Sequence, residues 1–145
     1  MRLTSGMQLL TLAVLLTVGR PAYCLDPAPG VRATTGLKTD SSWDGKKIEY
    51  PQGQAEVTGL LIEIDPERET GWHKHSVPSF AMVIEGELEV TLRDGRKKLL
   101  KAGDLLAEVV DVAHTGRNVG TGVVKLVVFY AGAKGVTLTE KLEGE

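Results

Sequence analysis

The chain has 145 residues, with 17 lysines and arginines against 19 aspartates and glutamates and a formal charge of −2. That length holds one domain with a core of its own, and the balanced charge excludes the clustered basic surface that nucleic acid or anionic lipid requires. The single cysteine, Cys24, excludes an internal disulfide framework and a thiolate zinc site.

Residues 1–24 open with one positive charge at Arg2, continue through the apolar run "MQLLTLAVLLTVG", and end on small residues at Ala22 and Cys24. This is the pattern of a secretory signal cut after Cys24, which makes the protein exported, periplasmic or secreted, and leaves the mature chain without cysteine. The run falls short of the roughly 20 apolar residues that span a bilayer, so no stable membrane anchor is expected. Acylation of Cys24 is disfavoured by the bulky Tyr23 directly before it. Leu25 to Arg32, "LDPAPGVR", reads as a linker because two prolines and a glycine suppress helix and ladder alike. The folded domain is expected over residues 33–140.

Within it, Asp44-Gly45 predicts a turn followed by a short strand stopping at Pro51, and "AEVTGLLIEID" predicts a strand closed by Pro66. "SFAMVIEG" and "ELEVTLRDG" are two more strands joined at Glu85-Gly86, and Asp94-Gly95 is a two-residue hairpin signal leading into "RKKLLKAG". "DLLAEVV", "HTGRNVG" and "VVKLVVFYAG" follow, each bounded by glycine, and "GVTLTEKLEGE" supplies a last short pairing strand. No segment keeps a 3.6-residue apolar period, so the chain is all-β, and the spacing of the strands implies a sandwich or closed barrel.

Only three histidines are present, and two of them, His73 and His75, stand one residue apart in "GWHKHSVPSF". On an extended strand those two side chains leave the same face. The third, His114, follows several hairpins later in "AHTGRN". One reading makes each an ordinary polar side chain; the other brings all three to one divalent ion. Neutral imidazole is the commonest ligand of late first-row metals, and three of them leave positions open for water or substrate.

These residues resemble the two short motifs of the cupins. The first motif runs H-x-H, three or four residues, Glu, six residues, Gly; here His73, His75 and Gly86 occupy the places and Ser79 stands where the acid is expected. The second runs Gly, five residues, Pro-x-Gly, two residues, His, three residues, Asn; Gly103, His114 and Asn118 match, while Val109 and Asp111 replace the proline and glycine. The resemblance covers about Glu56 to Gly132 and is strongest to small single-domain bacterial cupins that also carry a "WDG…YP" lead and a "VVFYAG" end. It implies a conical jelly-roll β-barrel with the histidines pointing inward, a homodimer, and iron, manganese, zinc or nickel held by His73, His75 and His114. Ser79 cannot replace the missing carboxylate ligand, so the resemblance also implies a weaker, more open and more positive site.

Glu108, six residues before His114, is the candidate supporting residue. Facing inward it would serve as an acceptor behind a ligand or as a general base; facing outward it is a solvated carboxylate. Glu67 and Glu69 precede the histidines and read as a solvated loop or a late ligand. Trp72 reads as packing or interface, Tyr130 as core or as a phenol at the barrel end, and Asn118 as a turn amide. In the third predicted strand Ser79, Ala81 and Val83 form the smaller set expected to line the cavity, opposite Phe80, Met82 and Ile84. Two functions follow: a metal-dependent enzyme acting on a small molecule, dioxygenase-like or related, and a non-catalytic barrel that binds or senses a small ligand at a degenerate metal site. Fold alone does not choose between them.

Overall fold

The structure is a computed structural model that describes residues 29–143, and in these residues the alternating apolar pattern becomes nine strands and no helix. The expected signal peptide and the first residues of the linker lie outside the described residues. The strands are β1 (Ala55–Ile64), β2 (His73–His75), β3 (Ser79–Glu85), β4 (Glu87–Leu92), β5 (Lys97–Lys101), β6 (Leu105–Ala107), β7 (His114–Asn118), β8 (Val124–Ala133) and β9 (Thr139–Lys141). They build two antiparallel sheets, ordered β1-β8-β3-β6 and β5-β4-β7-β2-β9. Inward residues of both sheets, including Val83, Leu88, Val90, Leu106, Val124 and Val128, pack between them as the core.

The expected join at Glu85-Gly86 is where the chain passes between the sheets: β3 lies in the four-stranded sheet and β4 in the five-stranded one. Gly86 turns that corner at a φ of 86°, and a Cβ there would stand 2.9 Å from the Val123 carbonyl oxygen and 3.0 Å from the Val124 Cα. Only glycine fits both the conformation and the space.

Two local expectations are corrected. Residues 46–51 form no strand; a single bridge, Ser41 to Lys47, is all that follows the Asp44-Gly45 turn. The β4–β5 hairpin closes with Leu92 N–H on the Arg96 carbonyl, so its loop holds three residues, with Gly95 at a φ of 88°. A three-residue loop places glycine last, in the left-handed position, which is where Gly95 sits.

The second motif keeps its backbone without its usual residues. Asp111, where the family pattern has glycine, takes a φ of 57°, and its N–H bonds the His75 carbonyl at 2.7 Å. Aspartate tolerates the left-handed region better than most side chains. Val109, in place of the proline, is fully buried. Asn118 is buried and fully used: its Nδ2 donates to the carbonyls of Ile64 (2.8 Å) and Gly122 (2.7 Å), and its Oδ1 accepts from Gly120 N–H (2.9 Å). The expected turn amide therefore also ties the end of β7 to the end of β1.

Candidate metal centre

The three histidines meet. His73 and His114 are direct cross-strand partners on β2 and β7, and His75 lies on the same face of β2 two residues on. Ring centroids are 4.9 Å apart for His73 and His75, 4.4 Å for His73 and His114, and 4.9 Å for His75 and His114. One nitrogen from each ring lies within 4.8 Å of the others. With metal–nitrogen bonds of about 2.1 Å at tetrahedral angles, ligand nitrogens stand about 3.4 Å apart, so closing on an ion needs ring movements below about an ångström.

The other nitrogen of each ring is already engaged. His73 Nδ1 lies 2.8 Å from the Gly71 carbonyl, His114 Nδ1 lies 2.8 Å from the Val112 carbonyl, and His75 Nδ1 lies 3.0 Å from Thr139 Oγ1. A carbonyl only accepts, so Nδ1 carries the proton in His73 and His114, and Nε2 is left with its lone pair. This fixed tautomer is what a metal-binding imidazole needs, and the backbone supplies it. Burial pushes the His73 pKa below the ordinary histidine value, with the neighbouring His114 adding to the effect. Burial, followed by the charges of His114 and His73, pushes His75 down to about 3. The donor set fits a divalent ion held by neutral imidazoles.

The histidines open into a cavity between the sheets of about 70 Å³. Its opposite wall belongs to the four-stranded sheet. Ser79 lies on that wall, where its Oγ is buried and has no hydrogen-bond partner among the described residues. Ser79 and Ala81 line the cavity and Val83 is buried, while Met82 and Ile84 face out, as the alternation required.

Glu108 also lines the cavity. Its Oε1 accepts from the Trp43 indole Nε1–H at 2.8 Å and from Val109 N–H at 2.9 Å. Tyr130 completes the wall, its ring 5.1 Å from that of His75. Burial raises the Tyr130 pKa and the charge of Glu108 acts in the same direction.

Glu67 and Glu69 are exposed and lie outside the histidine cluster. Trp72 sits under the Arg93 guanidinium, 5.0 Å from ring centroid to Cζ. Sequence reasoning did not single out Thr139, and it met Trp43 only as the first residue of the "WDG…YP" lead, without a role. Their contacts reach 64 and 65 residues along the chain.

Residues 60–130 match the cupin domain family. Oryzines biosynthesis cluster protein J of Aspergillus oryzae is 38% identical over 47 residues, 32% of this chain and 26% of that protein. Among solved structures, the DMSP lyase DddQ from Ruegeria pomeroyi superposes with a TM-score of 0.53 at 18% identity, covering 61% of this chain and 45% of that one. Bacillus subtilis oxalate decarboxylase, an enzyme with Mn(II) centres, superposes with a TM-score of 0.52 at 18% identity, covering 59% of this chain and 24% of that one. The chain thus spans about a quarter of the curated relative and less than half of either enzyme, and the likeness to the enzymes is one of fold. The two sheets, the paired motifs and the domain match agree, and residues 60–130 form a cupin domain.

Proposed function

We propose that this protein binds a divalent transition metal through His73, His75 and His114 and uses the remaining coordination positions to hold a small molecule in the cavity. The observation that carries this reading is the engagement of all three Nδ1 atoms in a cluster whose ligand nitrogens lie within 4.8 Å of one another, which leaves Nε2 of each ring for an ion. When bound, the ion would act as a Lewis acid on an oxygen of the small molecule. The chain's own residues do the rest. Gly71 and Val112 fix the tautomers, Thr139 orients His75, and the apolar walls exclude water from the bound group.

The test is metal analysis of untagged protein purified without chelator. At least half an equivalent of one transition metal is expected, lost in His114→Ala. Less than about a tenth of an equivalent, with none regained on adding iron, manganese, zinc or nickel, overturns the reading. Ser79 in place of a carboxylate ligand favours a second reading on the same site, binding of the small molecule without turnover. Substrate-dependent oxygen uptake that requires His114 would reject that version.

Two further parts of the reading concern the chain as a whole. Export rests on the pattern of residues 1–24. Homodimerisation is supported by the outer face of the four-stranded sheet, where Val57, Leu61 and Phe129 are 69%, 81% and 51% exposed, beside Met82 and Ile84. One cross-strand ion pair, Lys125 with Glu85, lies at the end of that sheet, whereas the five-stranded sheet carries two, Lys97 with Glu89 and Lys101 with Glu87. A solvent-facing antiparallel sheet is expected to be polar outside, and an apolar one is suited to a partner.

A further inference from the structure

The wall facing the histidines is built in rows. Ser79 on β3 is the register partner of Tyr130 on β8, and the Glu108 N–H bonds the Ser79 carbonyl at 2.9 Å. Three oxygen-bearing side chains therefore stand side by side on neighbouring segments, in the order Tyr130, Ser79, Glu108, and all three line the cavity. The next inward row is wholly apolar: Ala81 pairs with Val128 on one side and Leu106 on the other. A ligand lying across this wall meets oxygen chemistry beside the histidines and hydrocarbon one row further on.

The charges narrow the class. Among the described residues, Glu108 is the one carboxylate on the cavity wall, and no lysine or arginine lines it. A divalent ion with neutral imidazoles and one carboxylate leaves a net charge of +1, which matches a monoanion; a dianion would lack a cation and face Glu108. Glu108 is held by Oε1 on the Trp43 indole and Val109 N–H, and its second oxygen accepts from no donor among the described residues. The buried Ser79 hydroxyl is likewise without a partner among the described residues. A buried polar atom in that state is a position where a ligand or water completes the hydrogen bonding.

We propose that this row selects a small 2-hydroxy acid with a hydrocarbon substituent: its carboxylate and hydroxyl chelate the ion, Ser79 donates to the carboxylate, Glu108 accepts from the hydroxyl, and the substituent lies against Ala81, Leu106 and Val128. The carboxylate that the family motif places at position 79 is, in effect, offered one strand over at position 108, where it reads the ligand instead of holding the ion. The inference rests on the metal reading above and deepens it.

Glycolate and oxalate are the probes, since they share a size and a chelating reach and differ in the hydroxyl and the second charge. Each is titrated into Co(II)-loaded protein, followed by the visible absorption of the ion and by calorimetry, and the ratio of their affinities is compared with the ratio for aqueous Co(II). The protein is expected to raise the glycolate-to-oxalate ratio at least tenfold, and Glu108→Gln to remove most of that gain, as a hydrogen bond to a charged group is worth about ten- to a hundredfold. Lactate is expected to bind more tightly than glycolate, through its methyl group. A ratio at or below that of the aqueous ion overturns the proposal even if the variant does not fold, and so does a Glu108→Gln protein with an unchanged ratio. Failure to load Co(II) at all would instead sink the metal reading beneath it, with this inference, and is seen before either acid is added.

Discussion

Acid should weaken the metal-free protein well before its carboxylates titrate, and His75 sets the size of the effect. Its pKa falls from an ordinary 6.5 to about 3 because burial and two neighbouring imidazoles oppose its charge. A base whose folded pKa lies below its unfolded value is charged first in the unfolded chain. As pH falls below about 7 the unfolded state takes up the extra proton, and stability drops until the folded pKa is reached. At 1.36 kcal/mol per unit, the whole drop is about 5 kcal/mol, of which about 2 kcal/mol is lost by pH 5. His73, also lowered, adds in the same direction. The lowered aspartates Asp40, Asp44 and Asp94 start from 3.8 and act only in stronger acid, so the interval from pH 8 to 5 isolates the histidines. Urea unfolding of chelator-treated protein across that interval should show the loss, and His75→Gln should be flatter by about 2 kcal/mol at pH 5. Identical pH dependence in the two proteins would refute the argument that His75 is buried neutral.

Other consequences follow from the same contacts. Asn118→Ala removes three hydrogen bonds to backbone groups, one buried and two part-buried, and should cost about 3 kcal/mol in urea unfolding, at roughly 1 kcal/mol per lost hydrogen bond. Gly86→Ala meets the Val123 carbonyl and the Val124 backbone at a left-handed corner and should destabilise by more than about 2 kcal/mol, read from the thermal midpoint, whereas Asp111→Gly, at a position of the same handedness, should be neutral or mildly stabilising. Ser79→Asp should slow metal loss to EDTA by about tenfold while making the metal-free form less stable, since the added carboxylate is buried beside Glu108. The double variant Leu61→Lys with Phe129→Lys should run as a monomer in light scattering at concentrations where the parent is a dimer; a monomeric parent would reject the proposed interface.

Much of this architecture could be read along the chain because a strand declares its two faces locally. The small inward set Ser79, Ala81, Val83 and the outward Met82 and Ile84 needed nothing beyond alternation. His73 and His75 on one face followed from the same rule, and His114 followed from the resemblance. What the sequence could not carry was partnership across sheets. Glu85-Gly86 is legible as a junction of two strands, but which sheet each strand joins depends on partners far along the chain. Residues 46–51 have strand-like composition, but a strand exists only where a neighbour accepts its hydrogen bonds, and here that neighbour is a single bridge.

The same limit explains the reading of Glu108, which sequence placed more readily in solvent and the structure places on the cavity wall. On a strand next to apolar residues its direction depends on where the short β6 ends, and Ala107 is the last paired residue. Just beyond it Val109 N–H turns back onto the Glu108 carboxylate, and the Trp43 indole, 65 residues away, clamps the same oxygen. A carboxylate that has surrendered one oxygen to structure keeps one for a ligand. On the proposed reading, the replacement of the motif acid by Ser79 moves the carboxylate of the site one strand over, to Glu108, where it would read the ligand and not hold the ion.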